Sequence, residues 1–222
     1  MGNMEQTASY KTTSIAEFLV KLSNDIPTLP AAGSALGLSG AIAASLAIFV
    51  TKLVNKNVLS IDNPKLRQKN TDHMMTLQQS CMEIMDLDKN AYEKIIQNIG
   101  KTYINESDKT KGNQSLLKAY ESATQIQMKL NDISLSLLDT LDAIFENVPK
   151  VSQADAFIAV ELAYACLKGS SYIVHVNVKN IQNQALVKSF IQRIQDNCDD
   201  GKRIYEKIVN VNPGIKGANN GK

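Results

Sequence analysis

The run PAAGSALGLSGAIAASLAIFVT, from Pro30 to Thr51, decides how this chain folds. No charged residue occurs between Ile26 and Thr51, a length that could span a bilayer. Its composition argues for another use. Pro27 and Pro30 interrupt its start, and small residues fill it: Gly33, Ser34, Ala35, Gly37, Ser39, Gly40, Ala41, Ala43, Ala44, Ser45 and Ala47. The segments beyond it are amphipathic. The reading is a helix from about Gly33 or Ser34 to about Asn57, apolar on nearly all sides and therefore buried at the centre of a soluble bundle. The Gly33–Gly37 spacing suits close approach of a neighbouring backbone. Three glycines cost the helix about 1 kcal/mol each relative to alanine, so close packing or ligand access must offset them.

Outward from this run, helix signals dominate. Ser14-Ile15-Ala16-Glu17 has the pattern of a capping box, followed by Phe18, Leu19 and Leu22 at helical spacing. Asp25 to Pro30 breaks that helix. Asn63-Pro64 starts a third helix, with Met74, Leu77, Met82, Met85, Tyr92 and Ile96 on its apolar side. The polar stretch from Asn105 to Gln114, which contains Gly112, reads as a loop, and Asn113 as the cap of a fourth helix reaching about Asn147 before Pro149. Ser152-Gln153-Ala154-Asp155 is a second capping-box pattern, opening a helix through Phe157, Leu162 and Cys166. Gly169 leaves open whether that helix kinks or breaks. The alternating Ile173–Val178 could pass for a strand, but a lone strand would have no partner, so it reads as a helix end. The last helix covers about Ala185 to Val209. The expected architecture is all-α: one domain over residues 1–222, an elongated bundle of about five to six helices around the buried Ala/Gly-rich one. Residues 1–12 and 210–222 are expected to be flexible.

Composition narrows the function. The 222 residues are 44% hydrophobic and 21% charged, with a formal net charge of +2. That balance gives no reason to expect nucleic acid or an anionic membrane as partner. Cys81, Cys166 and Cys198 are odd in number and lack CxxC spacing, which points to free thiols in a reducing cytoplasm. His73 and His175 are far apart with no HExxH pattern, so no metal site is expected. The apolar run follows an acidic and polar lead, unlike a signal peptide. The glycine-rich helix start lacks the GKS or GKT ending of a phosphate loop and the GxGxxG of a dinucleotide site. Ser34 lacks a GxSxG elbow. Its amides could still face an anion.

Taken in order, several stretches resemble one family. Phe18-Leu19 through Leu22-Ser23 leads into Leu29-Pro30-Ala31-Ala32-Gly33-Ser34, where the family has a Pro-rich loop ending in three glycines and a serine. The Ala/Gly-rich helix ends at Phe49-Val50-Thr51-Lys52-Leu53. Asp88-Lys89-Asn90-Ala91-Tyr92 is similar to the family's DAEAF. Ala123 to Met128 is similar to AT-x-VPL, with Gln127 in place of proline. Gln153-Ala154-Asp155-Ala156 is similar to its SDA, and Lys168 to Val178 to its RGA…NVRINL, with Ile173 in place of the first asparagine. Over roughly residues 14–200 the chain resembles the formimidoyltetrahydrofolate cyclodeaminase/methenyltetrahydrofolate cyclohydrolase family. Ala31 and Ala32 replace the first two glycines of the family's loop.

The resemblance implies a folate one-carbon enzyme, with a tetrahydrofolate derivative as small-molecule substrate, no cofactor and a homodimeric assembly with the site near the subunit interface. Its reactions occur at the carbon bridging N5 and N10. In the deaminase direction N10 attacks the N5-formimino carbon and ammonia leaves; in the hydrolase direction water attacks the methenyl carbon and N5 is expelled. Both need an acid/base at the leaving nitrogen and gain from a carboxylate near the amidinium charge. Asp88 and Asp155 are the candidate catalytic carboxylates. Asp88 could instead be a surface carboxylate paired with a lysine at helical spacing, and Asp155 a helix-start charge. Gly33, Ser34, Lys52, Lys56, His175 and Asn177 are the candidate substrate-binding residues. Arg193, Lys202 and Arg203 could meet a polyglutamate tail or simply face solvent. A non-catalytic folate-binding or interaction protein of the same fold is the alternative, and a membrane-associated protein built on Ile26–Thr51 a remoter one.

Overall fold

A computed structural model describes residues 9–24, 30–57, 64–99 and 106–211. Among these residues there are six α-helices and no strand: α1 (Ile15–Leu22), α2 (Ala32–Asn57), α3 (Pro64–Asn98), α4 (Glu106–Phe145), α5 (Gln153–Asn177) and α6 (Gln184–Val211). The helical bundle expected from the sequence is what forms. At 1.5 Å per residue, the 40-residue α4 is about 60 Å long, so the bundle is elongated.

The small residues of α2 set the register of its packing. Gly33, Gly37, Gly40, Ala44, Ala47 and Thr51 recur at alternating spacings of four and three and are all buried. That face lies against α3. A methyl group at Gly33 would meet Asp88, one at Gly37 would meet Met85, and one at Gly40 would meet the Cys81 sulfur. Positions climb on α2 as they fall on α3, so the two helices are antiparallel. Ser45 accepts from Gln78 at 2.6 Å and Asn55 Nδ2 reaches Thr71 at 3.3 Å in the same register. The helix-propensity cost of the glycines is offset by this close approach.

The other helices continue the alternation. His73 meets Ser136 across α3 and α4 at 3.0 Å. Phe145 packs edge-on against Phe157 where α4 turns into α5. Leu36 on α2 packs on Gly169 of α5, closing a four-helix ring of α2, α3, α4 and α5. The core of that ring includes Ala43, Val50, Met74, Ile84, Leu130, Leu137, Leu138, Leu141, Val160 and Leu167. α6 runs parallel to α4 and lies against α4 and α5. Arg193 pairs with Asp132 and Lys207 with Asp142, both at 2.8 Å, while Gly201 receives Leu167.

Several sequence readings are corrected. The loop expected from Asn105 to Gln114 is helix from Glu106 onward, so Asn113 is not a cap. Residues 107–111 are exposed and carry no apolar periodicity, which removes the usual signal. Asp108 suits the positive end of a helix, and Gly112 is carried by a long helix anchored further on at Ala119 and Ala123. Only half of the first capping box forms: Ser14 accepts from the Glu17 amide at 3.2 Å, while the Glu17 carboxylate pairs with Lys21. The second does not form, because a 3₁₀ turn, Lys150–Ser152, runs straight into α5 and Ser152 makes no capping bond. α5 passes Gly169 without a break, and the alternating stretch after it ends that helix.

The N-terminal stretch is not free through residue 12. Tyr10 is buried, its amide donates to Asp86 at 2.6 Å, and its ring packs edge-on against Phe18. The expectations for residues 1–8, the Asp25–Leu29 break, the Asn63 cap and the tail beyond residue 211 lie outside the described residues.

Candidate functional site

Two helices, α2 and the stretch Lys150–Asn180 around α5, are long and apolar enough to cross a bilayer. In α2, however, Ala43, Ala44 and Val50 are fully enclosed by other helices. What the first turn of α2 encloses is polar. Asp88, only 8% exposed, lies beneath that turn among Ser34 and Gln127, both at 0%.

Three helices supply the three side chains. α3 carries Asp88 to the level of the α2 N-terminus, whose first amides have no helical partner of their own. The Ser34 amide donates to the Asp88 carboxyl. The Ser34 hydroxyl lies 3.1 Å from Asp88 Oδ2 and 3.0 Å from the Met85 carbonyl. From α4, Gln127 Nε2 donates to Asp88 Oδ1 at 2.8 Å. Gly33 sits directly on that last bond: a methyl group there would be 2.0 Å from Oδ1 and 2.3 Å from Nε2. Any side chain at this position would have to displace Asp88 or Gln127.

Burial pushes the Asp88 carboxyl above its ordinary range, with the Ser34 and Gln127 hydrogen bonds pulling it back. A carboxyl balanced in this way can hold a proton and release it, the property acid/base chemistry needs. The cysteines offer no comparable nucleophile. Burial pushes Cys81 and Cys166 up to about 12, and raises Cys198 as well, so all three stay protonated thiols near neutral pH. Among the described residues no group of His, Cys, Asp and Glu is arranged to hold a metal ion.

The other sequence candidates lie elsewhere in the chain. Asp155 is in the first turn of α5. It stands 14 residues before Gly169, roughly 21 Å along the helix from the level of Leu36. Lys52 and Lys56 are exposed on the far half of α2, about 27 and 33 Å along it from Ser34. His175 is exposed; its Nδ1 bonds the Ser171 carbonyl at 2.7 Å, so that nitrogen carries the proton. It borders a groove of about 350 Å³ between α5 and α6, together with Lys168, Cys198 and Lys202. Asn177 is half-buried as the last residue of α5. Within one chain, then, Gly33, Ser34 and Asp88 come together, and the remaining candidates do not join them.

Sequence reading missed three neighbours of Asp88. Gln127 was visible only as a residue standing where the family has proline. Lys89 is 3% exposed, with its ammonium 5.1 Å above the Tyr10 ring. Tyr10 is raised to about 12 by its own burial and by the nearby carboxylates of Glu93, Asp86 and Asp88. Lys89 and Gln127 lie in stretches that resemble the family's, but nothing local marks either as the neighbour of a buried acid, and Tyr10 lies in no motif.

Comparison with known proteins bears on the fold and the family. The chain is 22% identical, over 198 residues, to a methenyltetrahydrofolate cyclohydrolase of Methylorubrum extorquens; the match covers 87% of this chain and 95% of the relative. Its fold matches the crystal structure of a formiminotetrahydrofolate cyclodeaminase from Thermotoga maritima. The TM-score is 0.81 at 20% identity, covering 92% of this chain and 98% of the other. The formiminotransferase-cyclodeaminase family profile matches residues 14–196. Since that match takes in most of the chain, and the bundle agrees with it, the protein belongs to the formiminotransferase-cyclodeaminase family.

Proposed function

We propose that this protein is a folate one-carbon enzyme, acting as a cyclodeaminase or cyclohydrolase at the carbon that bridges N5 and N10 of a tetrahydrofolate derivative. The observation that carries the reading is the buried Asp88, held by Ser34 and Gln127 under the start of α2 in a fold shared with enzymes of that chemistry. Asp88 is assigned as the general acid/base. In the deaminase direction it delivers the proton with which ammonia departs as N10 closes on the formimino carbon. In the hydrolase direction it serves the nitrogen expelled after water adds. When ionised, it also balances the amidinium charge. No cofactor is needed for either direction.

Ser34 serves this site by holding Asp88, since its hydroxyl and amide are both taken up there. Gly33 serves it by having no side chain. The three free cysteines suit a reducing cytoplasm. A homodimer fits the surface: α2 and α5, which pack on each other, expose Ile42, Phe49, Ile158, Tyr172 and Val176. A second copy covering those faces would shield them from water and could bring further residues to the substrate.

The test is absorbance of 5,10-methenyltetrahydrofolate, followed from 5-formiminotetrahydrofolate and, separately, during its hydrolysis. Accelerated formation or decay, lost in Asp88→Asn, supports the reading. Folate binding without turnover in either direction would leave only a non-catalytic member of the family.

A further inference from the structure

We propose that Gln127 is a positioning residue whose carboxamide governs how readily Asp88 takes and gives up its proton; the inference rests on the acid/base reading of Asp88 above. Gln127 is fully enclosed, yet it behaves unlike a structural glutamine. Its nitrogen donates to Asp88 Oδ1 at 2.8 Å, while its carbonyl oxygen is a buried side-chain atom with no hydrogen-bond partner among the described residues. A glutamine kept for packing or for bridging two helices would have both ends satisfied. Here the described bonding of the side chain is to Asp88 alone, and an apolar side chain of similar size would avoid leaving a carbonyl unpaired.

The rest of the cluster shows why a second donor matters. The Ser34 hydroxyl has one proton and two acceptors within reach, Asp88 Oδ2 and the Met85 carbonyl. It can serve either form of the carboxyl. Toward the carboxylate it donates; toward the carboxylic acid it accepts from Asp88 and donates its own hydrogen bond to the Met85 carbonyl. The Ser34 hydroxyl can adapt to either state, whereas the two N–H donors, the Ser34 and Gln127 amides, cannot turn to accept from the acid and so favour the charged form. Gly33 lies so close over the pair that a methyl group there would overlap both Oδ1 and Nε2. Removing the Gln127 donor should leave Asp88 in place but make it keep its proton to higher pH.

The experiment uses the full chain and two variants, Gln127→Leu and Gln127→Glu. The first removes the donor at similar size; the second places a second carboxyl against Asp88, so that the pair shares a proton. Two quantities are measured: the Asp88 titration, by ¹³C-carboxyl NMR assigned with Asp88→Asn, and the pH profile of methenyltetrahydrofolate turnover. Expected is a shift of the Asp88 titration to higher pH in both variants, with the matching limb of the rate profile moving the same way and Tm in Gln127→Leu unchanged or raised. If Gln127→Leu does not fold, Gln127→Met, which removes the donor at similar size without adding a charge, decides by the same shift. An Asp88 titration that stays in place in a folded variant overturns the proposal. A shifted titration in a protein whose wild type turns over no folate upholds the role of Gln127 and overturns the folate reading instead.

Discussion

Gly33 of α2 and Asp88 of α3 face each other so closely that a methyl group on Gly33 would lie 2.0 Å from the Asp88 carboxyl oxygen. The antiparallel register of the two helices puts the side-chain-free position directly over the buried acid. Gly33→Ala must therefore displace Asp88, Gln127 or the helix start. Overpacking of this kind costs about 1–3 kcal/mol, against about 1 kcal/mol gained in helix propensity. The expected result is a net loss of up to about 2 kcal/mol in urea unfolding, with turnover reduced at the same time. Gly169→Ala is the control. There the atoms nearest the added methyl belong to the Leu36 side chain, whose terminal methyls can rotate away. Its stability should change by no more than about 1 kcal/mol.

Asp88→Asn keeps the shape of the acid and removes its proton exchange. Turnover should fall by about 10²- to 10⁴-fold, the usual contribution of a general acid/base, while far-UV circular dichroism stays that of the wild type. Asp155→Asn should behave differently. Asp155 lies at the first turn of α5, away from the Asp88 cluster, so its loss should remove a favourable helix-start charge of about 0.3–1 kcal/mol. Steady-state assays on the two variants side by side check the contrast.

The raised proton affinity of Asp88 carries a pH dependence of stability. Its folded-state value lies above the model-peptide 3.8, chiefly through burial. Between 3.8 and the folded value, the native state binds the proton and the unfolded chain does not. Stability from this group is therefore complete below 3.8 and lost as pH rises through the folded value. Unfolding free energies of wild type and Asp88→Asn, measured in parallel from acid to neutral pH, should differ by an amount that moves against the wild type as pH rises. Parallel curves would show that burial does not disfavour the charged form.

One turn beyond Gln127, Asn131 ties three helices together. It is fully buried, and its Nδ2 reaches the Leu167 carbonyl at 2.8 Å and Ser170 at 3.1 Å, while Asn197 of α6 donates to its oxygen at 2.8 Å. Asn131→Leu leaves the Asn197 amide without that acceptor and adds bulk in a filled core. A loss of about 1–3 kcal/mol is expected, seen as a lower urea midpoint with unchanged slope.

Much of this architecture is legible along the chain because helix signals are local. The Ala/Gly-rich run announces a buried helix, Pro64 marks the start of α3, and Pro149 marks the end of α4, each within a few residues. The first turns of α4 are not legible: from Ser107 to Lys111 every residue faces solvent, and a helix with no buried face leaves no periodic trace. Asp88 stands out as an acid among methionines and isoleucines, but nothing near it in sequence says that it is buried.

What the sequence by itself determined is the set of helices and the small-residue face of α2 that lets another backbone come close. Tertiary structure alone decided which residues that approach unites. Asp88 and Gln127 are 39 positions apart and meet because α3 and α4 run antiparallel past the start of α2, while Asp155, Lys52 and Lys56 are carried to other levels of the bundle. The physical reason is that periodicity specifies which face of a helix is buried, whereas the axial register between long helices depends on side-chain contacts, such as Gly33 on Asp88, that exist only once the helices have packed.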